Sequence, residues 1–235
     1  MTVDQLMSKL ESFGNEGTKR IYKNHGAPEP FFGVKIADLK TLLKGNKNNH
    51  ELALQLYETG NSDAMYLAAL MADKDKMTKE QLQSWMKKAT WYMISEYSVG
   101  ALAAESPHAL DLARDWMQSE DEKTEAAGWA VYAGYISLKD ESELDLKEIE
   151  GLLDKVGATI HEAKNRVRYT MNGFVISVGG YISSLSKKAL QISQKIGKVS
   201  VNLGDTACKV PFAPDYIEKM IARGSFEKRK KAVRC

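Results

Sequence analysis

Short amphipathic segments, each a few helical turns long, follow one another along almost the whole chain. Apolar residues recur within them at spacings of three and four, which predicts α-helices. Several segments begin after Ser, Thr or Asn and end at Gly, the residues that favour helix ends. On this basis twelve helices are predicted, at residues 2–12, 17–25, 34–44, 49–58, 62–73, 78–88, 91–104, 106–117, 121–136, 145–162, 165–183 and 185–196.

The predicted helices form pairs at intervals typical of a helical repeat. Pairs occupy residues 49–73, 78–104, 106–136 and 145–183, and a period of roughly 35 to 45 residues is typical of HEAT and armadillo repeats. We therefore expect an all-α protein with a single domain, 1–235, folded as a curved α-α superhelix whose concave face suits an extended partner. The pairs are only weakly similar in sequence, so a plain all-α bundle is the alternative.

The overall composition restricts the class of protein. The 235-residue chain has 43% hydrophobic and 27% charged residues, which is ordinary for a soluble globular protein. No apolar run is long enough for a membrane span, and the first residues lack the pattern of a secretion signal. Cys208 and Cys235 are the only cysteines and the four histidines are scattered. We therefore expect a cytoplasmic monomer without a disulfide framework, a metal site or a cofactor.

One segment departs from helical periodicity. Residues 198–210 alternate in polarity on both sides of Gly204-Asp205, and Gly at the first position of a two-residue turn is typical of a type II′ β-hairpin. The predicted hairpin has an apolar face of valines and Cys208, which should pack on a helix. It then serves either as a structural lid or as a contact for phosphate. Its other face collects polar residues, namely Lys198, Ser200, Asn202 and Lys209.

Positive charge is concentrated towards the end of the chain. The tail at 219–235 has seven basic residues and one acidic residue, whereas the rest has 26 basic and 30 acidic residues. A local basic cluster attracts the phosphate backbone of nucleic acid. The alternative is a solvated tail without a partner. The candidate DNA-binding cations are Lys164, Arg166, Arg168, Lys187, Lys188, Lys198, Lys209, Lys228, Arg229, Lys230 and Lys231.

Tyr92 and Glu96 are the residues that suggest chemistry. They lie four residues apart on the predicted helix 91–104, which places a ring beside a carboxylate. Such a pair attracts a cation, whether it belongs to a ligand or develops during bond breaking. The alternatives are structural: Tyr92 closes a helix interface, and Glu96 is an ordinary surface carboxylate.

The glycine-containing segment 173–180 is similar to a phosphate-binding loop in composition only. Its periodicity predicts a buried helix whose glycines permit close helix packing, and on this interpretation Phe174 packs in the core. The apolar stripe that runs through the segment comprises Val167, Met171, Phe174, Val178 and Ile182.

Three short motifs point to a known family. They are Phe32-Gly33-Val34-Lys35 before a predicted helix, Trp91-Tyr92-Met93-Ile94-Ser95-Glu96, and Asn172-Gly173-Phe174. Together they resemble the AlkD-like DNA glycosylases over roughly residues 15 to 225. The resemblance implies a HEAT-like-repeat fold and the removal of N3- and N7-alkylated purines from DNA.

The resemblance also implies roles for individual residues. In the family, tryptophan rings and an aspartate surround the cationic base, and an arginine one repeat later holds the neighbouring phosphate. Tyr92 then stands for the second Trp of a Trp-Trp-x-x-x-Asp helix, Glu96 for its Asp, and Phe174 for a later Trp. Trp91 is a further cleft aromatic. The arginine has no match, because its position falls near Glu125, and an acidic residue there repels phosphate.

These differences predict a non-catalytic DNA-binding protein in a branch of the superfamily that lacks the glycosylase residues (AlkF/AlkG-like). Such a protein binds the DNA backbone by shape and charge, prefers branched or distorted DNA, and associates with the nucleoid in the cytoplasm. One alternative is an active glycosylase for cationic alkylpurines that uses Tyr92, Glu96 and Phe174. Another is a protein-interaction scaffold, a frequent use of helical repeats.

Overall fold

The structure, a computed structural model, describes residues 1–234. Within these residues all regular structure is helical, and no β-strand occurs. No described helix is both long and apolar enough to span a membrane. The α-helices in chain order are α1 (Val3–Ser12), α2 (Glu16–Asn24), α3 (Ile36–Leu43), α4 (His50–Tyr57), α5 (Ser62–Met71), α6 (Lys79–Lys88), α7 (Tyr92–Ile94), α8 (Ala101–Glu105), α9 (Ala109–Trp116), α10 (Glu122–Leu138), α11 (Leu146–Thr159), α12 (Asn165–Tyr181), α13 (Ser183–Ile196) and α14 (Ala213–Ala222).

The all-α prediction is confirmed. Each of the twelve predicted helices overlaps an observed one, and the predicted helix 91–104 is realised as α7 and α8 joined by the π-helical segment Ser95–Gly100. One helix, α14, was not among those predicted.

The chain forms two compact units. Unit 1 contains Met1–His108, the short segment Leu203–Ala207, and Arg234. Unit 2 contains Ala109–Asn202 and Cys208–Val233. Helices that are close in sequence pack together in each unit: α4 with α5 in unit 1, and α10 with α9 and α12 in unit 2. The single domain at 1–235 stays a prediction.

Helix α5 forms the centre of unit 1. Every residue from Ser62 to Met71 is shielded from solvent, and its composition is apolar on nearly all sides, as expected of an enclosed helix. Beside it, the ring of Tyr57 on α4 stacks on that of Trp85 on α6, with 3.9 Å between centroids. The Tyr57 hydroxyl also donates a hydrogen bond of 2.7 Å to the Trp85 carbonyl. The stack and the hydrogen bond together fix α4 against α6.

Helix α12 is the centre of unit 2, where it packs against α10, α13 and α14. A side-chain carbon at Gly179 would lie 2.7 Å from the Ile217 side chain of α14, and one at Gly180 would overlap Met220. The two glycines therefore form a notch in which α14 rests. This confirms the prediction of close helix packing for Gly179 and Gly180, whereas a side-chain carbon at Gly173 would meet no atom within 4 Å.

Two helices of unit 2 receive their N-terminal caps from other parts of the chain. Neither α12 nor α13 has a side-chain cap of its own. A Glu122 carboxylate oxygen of α10 accepts the Arg166 N–H at 2.6 Å. The Glu141 carboxylate accepts the N–H groups of Ser183 and Ser184 at 2.8 and 3.3 Å. Because the first turn of a helix has N–H groups without intrahelical partners, these carboxylates satisfy the backbone and complement the helix dipole.

The predicted β-hairpin at 198–210 is wrong. The side-chain amide of Asn165 pairs with both backbone groups of Asn202, at 2.7 and 2.9 Å. The Asp205 N–H donates to the carbonyl of Asn24 at 3.0 Å. Gly204 does adopt a positive φ of 80°, as the turn prediction required. Backbone groups of the segment therefore form hydrogen bonds with Asn165 and Asn24 instead of with a second strand. No β-ladder forms within the described residues.

Glycine at position 128 is required by the contact between α9 and α10. A side-chain carbon there would lie 2.5 Å from the backbone nitrogen of Met117, and backbone cannot move aside as a flexible side chain can. We expect Gly128→Ala to lower the free energy of unfolding by about 1 to 3 kcal/mol through overpacking. The matched control is Gly151→Ala in α11, which meets no atom within 4 Å. It should raise stability by about 0.5 to 1 kcal/mol through helix propensity. Equal effects in urea titrations would contradict the close contact.

Acid should weaken a second contact in unit 2. Two hydrogen bonds of 2.7 Å from the Arg114 guanidinium hold the pKa of Glu148 below its usual value of 4.5. A carboxyl with a lowered pKa contributes stability above its unfolded pKa and loses it as pH falls through the folded value. We expect Glu148→Gln to destabilise most near pH 7, and this difference to shrink below about pH 4.5. Urea titrations at several pH values test this, with the exposed Glu51→Gln as control. A difference independent of pH would contradict the pairing.

Candidate nucleic-acid interface

The Tyr92–Glu96 pair lies where α7 passes into the π-helical segment. Tyr92 is the first residue of α7 and is half-buried, and Glu96 is the second residue of the π segment and only 5% exposed. π-Helical turns are rare and often occur at functional sites. A buried carboxylate is retained in a fold only when it is compensated, so Glu96 is a built-in part of unit 1 and not a solvated surface group.

The ring of Tyr92 belongs to a cluster that the sequence did not reveal. The His25 and Tyr97 rings both meet Tyr92 edge-on, with 6.1 Å between centroids in each case. Tyr97 is 41% exposed. In an α-helix, residues five apart lie on different faces. Here the i to i+5 hydrogen-bonding register of the π segment brings Tyr97 next to Tyr92. The ring of Tyr92 is therefore flanked by those of His25 and Tyr97, one turn of helix from the buried Glu96.

Trp91 lies behind Tyr92, on the buried side. Its ring is 5.2 Å from that of Tyr92 and 5.6 Å from that of Tyr22 on α2. The Tyr22 hydroxyl in turn donates a 2.7 Å hydrogen bond to the carbonyl of Val34. Burial raises the pKa of Tyr22, so the hydroxyl stays protonated and remains a donor. Trp91 thus supports Tyr92 from the core and connects it to the loop before α3.

Asp63 organises that loop. Its carboxylate accepts three backbone hydrogen bonds, from Phe32, Gly33 and Val34, at 2.6 to 3.0 Å. Gly33 has φ of 78°, and a side-chain carbon there would lie 2.7 Å from the Lys19 backbone nitrogen. The Phe32-Gly33-Val34 motif is therefore a backbone structure that only glycine allows. Burial raises the pKa of Asp63, and the three N–H groups oppose that rise.

The space behind the rings is very small. A cavity of about 10 Å³ is lined by residues that include Tyr22, Asp63 and Trp91, which is about the volume that holds one water molecule. A nucleobase does not fit there. Any ligand of this site therefore approaches Tyr92 from the exposed side, where His25 and Tyr97 lie.

Phe174 occupies a different environment, in unit 2. It is fully buried, and its ring meets Trp129 and Tyr132 of α10 edge-on, at 5.3 and 5.7 Å between centroids. Edge-to-face aromatic packing of this kind stabilises a core by roughly 0.5 to 1.5 kcal/mol per pair beyond burial. In this structure Phe174 is a packing residue between α10 and α12.

Glu125, at the position where the family resemblance places an arginine, is engaged within unit 2. Its carboxylate accepts a 2.7 Å hydrogen bond from the Lys164 ammonium, which also donates to the carbonyl of Glu120 at 2.8 Å. The Glu125 side chain is 18% exposed. The hydrogen bond from Glu125 raises the pKa of Lys164. The local charge is therefore a closed ion pair at the start of α10 and α12.

All eleven predicted DNA-binding cations lie in unit 2, but several are bound to other parts of the protein. Besides Lys164, the Lys188 ammonium bridges the carboxylates of Glu150 and Asp154 at 3.0 and 2.8 Å. Arg229 donates to the carbonyl of Tyr181. These side chains are held by protein acceptors, which compete with phosphate.

Arg166 and Arg168 lie on the first turns of α12 and are half-buried. The Arg166 guanidinium lies over the Tyr169 ring, with its central carbon 4.4 Å from the centroid. Nη2 of Arg168 is 3.5 Å from Asn165 Oδ1, and its Nε is buried without a hydrogen-bond partner among residues 1–234. Packing within unit 2 thus sets the positions of both guanidinium groups.

The remaining cations face solvent. Within the part of the chain that the structure describes, they are exposed and form no ion pair. They are Lys187, Lys198, Lys209, Lys228, Lys230 and Lys231.

The C-terminal tail is anchored to the protein. The Lys230 N–H donates to the carbonyl of Ser137 at 2.9 Å in unit 2. In unit 1, Arg234 donates to the Glu105 carboxylate and to two carbonyls at the end of α5, at 2.7 to 2.8 Å. The lysines at 228, 230 and 231 are therefore displayed from a fixed backbone, while the arginine near the end of the chain serves the fold.

The arrangement of helices places the chain in the class of HEAT-like repeat proteins. A solved structure described as "a new family of proteins related to the HEAT-like repeat DNA glycosylases with affinity for branched DNA structures" is similar to it. The match has a TM-score of 0.91 and 36% sequence identity, and it covers 100% of both chains. This confirms the helical-repeat fold.

The sequence comparisons identify the family. The family of DNA alkylation repair enzymes matches residues 6–201. Two relatives, the uncharacterized proteins Lin0241 of Listeria innocua and Lmo0209 of Listeria monocytogenes, are each 39% identical over 225 residues. Each alignment covers 93% of this chain and 97% of the relative. The chain belongs to the DNA alkylation repair family, and the resemblance seen in its motifs is confirmed.

Asp63 provides a test of how the site is supported. Asp63→Asn replaces one acceptor oxygen by an NH₂ group that faces backbone donors. We expect the free energy of unfolding to fall by about 2 to 3 kcal/mol, since hydrogen bonds to a buried charged group are removed. The measurement is a urea titration. The control, Asp75→Asn in an exposed loop, should change stability by no more than about 0.5 kcal/mol. An unaltered midpoint for the Asp63 variant would show that the loop is held by other contacts.

Proposed function

We propose that this protein binds DNA without catalysis and prefers branched or distorted DNA to straight duplex. Binding would depend on the charge and shape of the backbone and not on base sequence. We further propose that it acts as a monomer in the cytoplasm, in association with the nucleoid, and needs no metal or cofactor.

The observation that carries the proposal is the Glu125–Lys164 ion pair. In the glycosylases that the motifs resemble, an arginine one repeat after the aromatic site holds the neighbouring phosphate. Here the corresponding position is acidic, and the nearby ammonium is already bound to it at 2.7 Å. Because the Lys164 ammonium already donates to Glu125 and to the Glu120 carbonyl, its attraction for a phosphate is weakened, and the carboxylate offers none.

The aromatic site supports the same conclusion. Tyr92 offers a weaker π-face to a cationic base than Trp does. Phe174, the counterpart of a later family tryptophan, is enclosed between α10 and α12. Glu96 is one methylene longer than Asp, and a displacement of about 1 Å can lower a rate a hundredfold. The missing phosphate-binding cation and the weaker rings together argue against efficient base excision.

The relatives support DNA as the partner. The structurally similar protein, 36% identical over its whole length, is described as having affinity for branched DNA. A protein with the helical-repeat fold but without the residues for base excision can still bind DNA through its surface. Branched DNA is bent and opened at its centre, so binding it requires less deformation than bending a straight duplex.

The exposed lysines of unit 2 supply the attraction. Six cations face solvent without an ion pair among the described residues, and three of them are displayed from the anchored tail. Lysines that neutralise phosphates release counterions from DNA, so affinity falls steeply as salt rises. Contacts between lysines and phosphates do not distinguish one base sequence from another. The proposed binding is therefore salt-sensitive and independent of base sequence.

A gel shift at low salt tests the preference directly. The probes are a four-way junction and a linear duplex assembled from the same arm sequences. We expect tighter binding to the junction. Equal affinity for the two probes, or no binding to either, would refute the proposal.

A lysine variant tests the surface. Replacing Lys187, Lys198 and Lys209 by Ala should reduce the slope of log affinity against log salt by about 0.9 for each phosphate that is no longer neutralised. The control with the same change in charge replaces Lys9, Lys44 and Lys76, which are exposed in unit 1. Its slope should stay at the wild-type value. Equal reductions in both triple variants would mean that net charge alone governs binding.

Excision of cationic alkylpurines is the second candidate function. It is favoured by the cluster of the Tyr92, His25 and Tyr97 rings and by the buried carboxylate four residues after Tyr92, a combination suited to a cation. The test measures release of 7-methylguanine and 3-methyladenine from methylated linear duplex by the wild type and by Glu96→Gln. Release that depends on Glu96 would establish this activity, and no release from either protein would exclude it.

A further inference from the structure

Helix α14 carries an exposed stripe of aromatic and basic residues, which we call the α14 stripe. Its members are Phe212, just before the helix, Tyr216, Lys219 and Arg223. They follow one another at spacings of four, three and four, which places them on one face of a helix. All four are exposed, with Phe212 at 38% and Tyr216 at 47%. Single exposed rings are common on protein surfaces, but here two are aligned with two cations on one face.

Packing of the opposite face fixes the orientation of the stripe. Ile217 is fully buried above the notch at Gly179, and Ala213 and Pro214 are also buried. Just before the helix, the side-chain amide of Asn172 donates to the carbonyl of Pro211 at 2.9 Å. With the buried face set against α12 and the entry to α14 anchored, the stripe cannot turn inwards.

Charge and aromatic rings are combined on the stripe. The Lys219 ammonium lies 5.5 Å from the Tyr216 ring centroid. Lys228 brings another ammonium to the end of the helix, where its Nζ is 3.5 Å from the Arg223 carbonyl. Of the acidic residues of α14, Glu218 lies on another face of the helix, whereas Asp215 borders the stripe, three residues after Phe212 and four before Lys219. With Lys219, Arg223 and Lys228 against this one carboxylate, the stripe still carries net positive charge.

We propose that the α14 stripe binds unpaired nucleotides of DNA, with Phe212 and Tyr216 stacking on bases and Lys219 and Arg223 pairing with phosphates. Aromatic stacking is a general way to hold single-stranded DNA, because every base has a π-face. Bases within a duplex are already stacked on their neighbours and do not offer that face. The occupant is therefore a strand whose bases are open, such as one that leaves a branch point. This inference rests on the proposed function and adds a recognition element to it.

The experiment compares three fluorescent probes by anisotropy at one salt concentration. One is a linear duplex, one carries a single-stranded thymine arm of about ten nucleotides, and one carries an arm of the same length made of abasic residues. The abasic arm retains the phosphates and lacks the bases. Wild type should bind the thymine arm more tightly than the abasic arm.

The variant Phe212→Ala/Tyr216→Ala should weaken binding to the thymine arm by about fivefold to a hundredfold, the range expected when stacking is removed. Its affinities for the abasic arm and the duplex should not change. The matched control is Phe13→Ala in unit 1, whose side chain is also 38% exposed and whose removal should have no effect. Lys219→Gln/Arg223→Gln should weaken binding to both arms equally. Thermal unfolding of each variant checks that the fold is intact.

Several results would overturn the inference. Equal wild-type affinity for the two arms would exclude base stacking, and so would equal weakening of both arms by the aromatic variant. A change from dimer to monomer in the aromatic variant on gel filtration would show that the stripe covers a second copy of the chain. Each of these outcomes leaves the junction preference intact. Conversely, equal affinity for the junction and the linear duplex would refute the proposed function. The comparison of thymine and abasic arms would still show whether the α14 stripe stacks on bases.

Discussion

The start of α12 is held by carboxylates of α10, and unit 2 depends on this contact. Glu122 accepts the N–H of Arg166, and Glu125 binds the Lys164 ammonium. Helix α12 has no cap of its own, so these carboxylates satisfy its first turn. With its start fixed, α12 places Phe174 against α10 and presents the glycine notch that receives α14. The acidic residues at the start of α10 thus stabilise the packing of α12 in unit 2.

The same contact has a consequence for chemistry. The Lys164 ammonium, although exposed, is already paired with Glu125, and this protein acceptor competes with a phosphate for it. Unit 1 keeps the aromatic rings and a buried carboxylate, which are suited to a cation. Unit 2 has exposed lysines, which are suited to binding the phosphate backbone of DNA. In the function proposed above, binding is separated from excision by the acidic residue Glu125, which stands where the family resemblance places a phosphate-binding arginine.

Much of the fold was predictable because helical periodicity is a local property of the sequence. The apolar stripe through Phe174 correctly indicated a buried helix. Features that depend on contacts with distant residues were not predictable. The prediction of a hairpin was wrong because the Asn165 side chain forms hydrogen bonds with the backbone N–H and C=O of Asn202. Tyr97 was missed because residues five apart lie on different faces of the regular α-helix that was predicted for 91–104. Helix α14 left a readable signal, since Pro214 and Asp215 occupy its first turn and Ile217 lies on its buried face.

The most direct measurement combines binding and chemistry in one tube. A four-way junction containing 7-methylguanine near its centre is titrated with the protein, and the bound fraction and the free base are both measured. We predict that the junction becomes saturated while free 7-methylguanine stays at the level found without protein. Release of 7-methylguanine that rises with the bound fraction would contradict binding without excision.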